Sequence, residues 1–128
     1  MPDGSSRLRE HPSVRFAEDE QVFDIEQAAA DLVREPDEPR HQGHREMAIF
    51  RHGPMTVGLF CFNEGSKIPD HVLDGNTTIH VLEGRLTVHA SQSHTLKPGS
   101  IMALKPNVKH DIEADQPTKA LITFCLEP

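Results

Sequence analysis

The chain has 128 residues, 36% hydrophobic and 26% charged, which suits one globular domain with a single core and not a disordered segment. Its formal charge of −7 is uneven: residues 1–46 hold 6 Lys/Arg against 12 Asp/Glu, whereas residues 47–128 hold 7 against 8. No basic stripe gathers phosphates, and with no Trp or Tyr only six Phe remain for base stacking, so nucleic acid is not an expected partner. The apolar runs are too short to span a bilayer, and MPDGSSRLREHP lacks the apolar stretch of a secretory signal. The expectation is a cytoplasmic protein with no membrane partner, in which Cys61 and Cys125 stay reduced and serve as small core hydrophobes.

In chain order, residues 1–20 are polar and without a steady period, which reads as an arm or a strand added to a neighbour. From Asp24 to Arg34 the apolar positions 25, 28, 29, 32 and 33 follow helical spacing, with Asp24 as N-cap and Gln27 completing a weak capping box. Pro36 ends this helix, because the residue before proline disfavours the α conformation. EPDEPRHQGHR is then a loop. Beyond it the period becomes two: a strand through Met47, Ile49 and Arg51, a His52-Gly53-Pro54 turn, and an apolar strand Met55–Phe62. Later strands are expected at Thr78–Leu82, Arg85–Ala90, His94–Lys97, Ser100–Lys105 and Thr118–Leu126. Short strands between Gly, Pro and Asp turns, with no βαβ alternation and no internal repeat, predict an all-β, antiparallel sandwich or barrel with one short N-terminal helix. The division follows: residues 1–45 are an arm, helix and loop packing on the barrel or on a partner, and residues 46–128 are one β-barrel domain.

The segment GSKIPDHVLDGNTTIHVLEGRLTVHASQSHTLKPGSIMALKPNVKH places His71 and His110 just after turns at the two ends of this strand series. Gly65 is followed by five residues and His71, and Gly84 closes a turn further on. Gly99, Pro106 and His110 form a second glycine–proline–histidine series, with Asn107 in the turn, where a left-handed backbone is tolerated. These motifs resemble the two signatures of the cupin superfamily over roughly residues 46 to 126. The resemblance implies an antiparallel double-sheet jelly-roll barrel that holds a metal or a small molecule in its mouth. Half of the implied ligand set is replaced: Leu73 stands where a second histidine belongs, and Thr77 where a glutamate belongs.

His71 and His110 alone would hold a divalent transition metal weakly, since a facial site needs a third donor, for which the loop residue Asp74 is the candidate. Asp70, a neighbour of His71, and His80, of the wrong parity, point to the other face. The remaining histidines read as bland: His11, His41 and His44 solvated, His52 in a hairpin turn, His89 facing outward, His94 opening a strand. With His71 inward, the expected pocket is lined by His71, Leu73, Thr77, Ile79, Val81, Leu86, Met102, Leu104 and His110, and Val88 is a further candidate for the interior. Phe60 and Phe62 either join it or pack outside against the helix.

Four functions fit these residues. The favoured one is a cupin without tightly held metal, a sensor, carrier or accessory protein that binds a small, mostly hydrophobic molecule with one or two polar handles. The others are a metal-dependent oxygenase, lyase or isomerase with an unusual ligand set, a metal-free acid/base enzyme using His71 or His110, and a dimeric barrel with a vestigial pocket. A homodimer is expected in each case, with Val14, Phe16, Val22 and Phe23 as apolar spots for a second copy to cover.

Overall fold

The structure is a computed structural model that describes residues 15–35 and 43–126. Val14, His11 and His41, singled out above, lie outside the described residues. Helix α1 spans Ile25–Val33, and the Asp24 carboxylate caps it by accepting from the Gln27 amide N–H at 3.0 Å. The capping box is only half formed, because the Gln27 side chain donates to Asp31 rather than returning to Asp24. Ala29 and Leu32 are the buried face of α1, and they pack on Ile49, Leu59 and Cys61 from the strands beneath. Among the described residues no helix is long and apolar enough to cross a membrane.

Nine strands follow: β1 His44–His52, β2 Met55–Phe62, β3 Lys67–His71, β4 Gly75–Glu83, β5 Leu86–His89, β6 Ser93–Leu96, β7 Ile101–Leu104, β8 His110–Ala114 and β9 Thr118–Leu126. They form two sheets, in the orders β1-β2-β9-β4-β7 and β3-β8-β5-β6, and every pairing is antiparallel. Two of the nine, β3 and β8, are absent from the sequence expectation. KIPDH carries a proline and HDIEA has only two apolar residues, Ile112 and Ala114, so each is too short an apolar signal to read as a strand on its own.

The main core fills the space between the sheets. Along β2 the side chains alternate: Leu59 and Cys61 face α1, while Phe60 and Phe62 point inward among Ile79, Val81 and Ile122. The interior option for the two phenylalanines is therefore the observed one. Cys61 is a core residue as expected, but Cys125 is exposed, because it lies near the end of β9 on the outward parity; both thiols are free. The β4–β5 turn requires its glycine. Gly84 has φ +94°, and a Cβ there would lie 2.3 Å from the Pro117 carbonyl oxygen.

Candidate functional site

β3 and β8 place His71 directly opposite His110. The ladder is irregular between Ile68 and His71, where Asp70 adopts φ +51° and its N–H donates to the Asp111 carboxylate at 2.7 Å. The Asp70 carboxylate lies out in solvent, 3.3 Å from the Lys109 ammonium. This bulge re-aims the chain so that His71 turns to the interior. On the other side, Asn107 has φ +64°, the left-handed conformation expected at that turn, and its N–H donates to the Leu73 carbonyl at 2.8 Å. One backbone hydrogen bond thus ties together the two loops that carry the histidines.

The imidazole hydrogen bonds fix the tautomers. His110 Nδ1 lies 2.9 Å from the Val108 carbonyl oxygen, which can only accept, so this nitrogen carries a hydrogen. Neutral His110 then has a bare Nε2, which lies 3.2 Å from His71 Nδ1. His71 Nδ1–H is therefore the donor of that bond, and its Nε2 is left with a lone pair. Among the described residues nothing pairs with this nitrogen. Burial, and secondarily the neighbouring His110, push the His71 pKa below its ordinary 6.5, against the opposing pull of the Glu46 carboxylate. The pair is a neutral relay running from the Val108 carbonyl to one open acceptor. The Phe124 ring meets His71 edge-on, with centroids 6.1 Å apart. None of Asp70, Asp74 and Asp111 orients either ring.

One interior histidine escapes the sequence reading. His44 is buried, not solvated, because β1 begins there, before the first residue of its expected span. Its ring stacks against Phe60 and lies beside Phe62, at 5.7 Å from each, and its Nε2 lies 2.9 Å from the Glu46 carboxylate. The signal was available: with Met47 and Ile49 facing α1, residues 44 and 46 must take the inner face.

Of the expected pocket residues, Ile79, Val81 and Leu86 have 0% exposure and, with Val88, form a closed floor rather than an accessible wall. Thr77, Leu104 and His110 are buried beside them, while His71, Leu73 and Met102 are half-buried and remain to form a rim. The residues do not make up a metal centre. A cation about 2.1 Å from both paired nitrogens would see them at roughly 100°, an acceptable angle, but a resident ion needs at least three protein donors. Among the described residues no three His, Cys, Asp or Glu converge, and Asp74 lies in an exposed bend.

A family model described as a cupin domain matches residues 58–125, more than half of the chain. The chain belongs to the cupin family. Solved structures agree with this cupin fold. A cupin superfamily protein from Desulfitobacterium hafniense is 16% identical with a TM-score of 0.67, covering 88% of this chain and 96% of its own. A protein of unknown function from Rhizobium leguminosarum is 21% identical with a TM-score of 0.69, covering 86% and 100%. A conserved protein of unknown function from Streptococcus pyogenes is 14% identical with a TM-score of 0.67, covering 87% and 91%. No curated protein matches the sequence. At such identities the likeness establishes the cupin fold and leaves the activity to the site itself.

Proposed function

We propose that this cupin binds a small, mostly apolar molecule at the barrel mouth and anchors it by a hydrogen bond to His71 Nε2. The observation that carries this reading is the relay from Val108 through His110 to His71, which ends in a single open acceptor. The half-buried Leu73, Met102 and Phe124 supply an apolar surround for the rest of the ligand. A ligand that donates an N–H or O–H suits the neutral histidine, whereas an acceptor such as a carbonyl would meet lone pair against lone pair. No resident metal belongs to this reading.

The same relay favours a second reading, a metal-free proton-transfer enzyme. A base held in one tautomer by a partner, itself held by a backbone carbonyl, is the arrangement that general-base catalysis requires. In that case His71 Nε2 takes the substrate proton, and His110 steadies the imidazolium by accepting from its Nδ1–H. We further place the protein in the cytosol as a homodimer, with Val22, 99% exposed, and the partly exposed Phe23 as apolar surface for a second copy.

The test is a thermal-shift screen of a metabolite panel against the native chain and His71→Ala. Ligands that raise the Tm of the native protein but not of the variant support the mouth as the binding site. A panel with no hits, or hits that survive in His71→Ala, contradicts it. Turnover of any hit, lost in His71→Ala at unchanged Tm, would select the enzymatic reading.

A further inference from the structure

A cavity of about 320 Å³ lies on the outside of the barrel, at the end of the five-stranded sheet and against Val33 of α1. Strand register sets four of its lining residues in one lateral row: Arg45 on β1 faces Cys61 on β2, Cys61 faces Lys119 on β9, and Lys119 faces Glu83 on β4. Glu83 reaches this outer row because the ladder slips between Val81 and Glu83, bulging at Leu82. With strands about 4.8 Å apart, the Arg45 and Lys119 backbones stand roughly 10 Å from each other, and side chains of their length converge above the Cys61 between them.

The charges in this row are unequal. Lys119 is engaged by the Glu83 carboxylate at 3.4 Å. Arg45 is half-buried, and among the described residues no carboxylate pairs with it. The row therefore carries one surplus positive charge on a chain whose formal charge is −7. Both cations act on the floor of the cavity: burial raises the Cys61 pKa, and Lys119 and Arg45 each pull it back down, while Glu83 adds to the rise. A guanidinium with no carboxylate partner among the described residues, beside a cavity with room for a small ligand, is matched by an anion.

We propose that this cavity is a second ligand site that takes a small oxyanion, a carboxylate or phosphate group, held by the Arg45 guanidinium with Lys119 beside it. Its position outside the barrel makes it independent of the reading given to His71 and His110. Its chemistry is also the opposite, since the mouth offers an acceptor and this cavity offers donors.

The experiment uses the full chain, titrated with sodium malonate and separately with inorganic phosphate, each against sodium chloride at matched ionic strength. A Tm increase of about 2 °C or more at ~10 mM anion, beyond the chloride control, is expected for at least one of the two. The increase should vanish in Arg45→Gln and persist in His71→Ala. If Arg45→Gln does not fold, Lys119→Gln takes its place and should reduce the increase. No increase beyond chloride for either anion, or an increase unchanged in the Arg45 or Lys119 variant, overturns the proposal.

Discussion

His71 Nδ1 and His110 Nε2 stand 3.2 Å apart across the final pair of the β3–β8 ladder, and the Val108 carbonyl accepts from the far side of His110. That carbonyl has no hydrogen to give, so it fixes the first bond, and with His110 neutral the second runs from His71 Nδ1–H to His110 Nε2. Burial, and secondarily His110, favour neutral His71, which leaves one nitrogen open, and the chemistry proposed for the barrel mouth depends on this condition.

The first consequence is a pH dependence of stability. His71 titrates at 6.5 in the unfolded chain, and burial, then His110, hold it lower in the fold. The unfolded chain therefore binds a proton at a pH where the folded chain does not. The His71 contribution is complete above 6.5 and is lost as the pH falls through 6.5 toward the folded value. Urea midpoints measured from about pH 7.5 down to about pH 5 should decline less steeply in His71→Gln than in the native chain. Equal slopes would mean that His71 is not held neutral by the fold.

Phe60 links the core to the polar interior, being buried in the main cluster, stacked with Phe62 at 5.9 Å and with His44 at 5.7 Å. Phe60→Ala should cost about 3–5 kcal/mol, as truncation of a buried aromatic leaves a cavity that its neighbours only partly fill. Denaturant unfolding measures this directly. A loss under about 1 kcal/mol would place the ring outside the core.

Much of the fold was legible because β-strands announce themselves by short apolar runs between turn residues. MTVGLFCF and the nine residues Thr118–Leu126 are such runs, and both are strands with the expected bounds. β3 and β8 were hidden because they are short and polar, and their place is fixed by pairing with each other and with β5, which a local window cannot see. The meeting of His71 and His110 was implied by the resemblance of their motifs to the cupin signatures. His44 was missed because a histidine beside Pro- and Gly-rich sequence reads as solvated, and only the inward parity of β1 reverses that. The floor formed by Ile79, Val81 and Leu86 shows a further limit: parity tells which side chains face inward, but only packing tells which of them remain reachable.

Metal retention is a direct check on the donor count. With two imidazoles and no third convergent donor among the described residues, protein incubated with Zn(II), Ni(II), Mn(II) or Fe(II) and then desalted should keep well under one equivalent by elemental analysis. One tightly held equivalent that disappears in His71→Ala would reinstate a metal centre.

The most direct measurement is the protonation state of the two rings, read at neutral pH from long-range 15N–1H correlations on uniformly 15N-labelled protein. Both imidazoles should appear neutral, each with its hydrogen on Nδ1, and the Nε2 of residue 71 should shift when a donor ligand is added. A charged residue 71, or one carrying its hydrogen on Nε2, would contradict the open acceptor on which the proposed function stands.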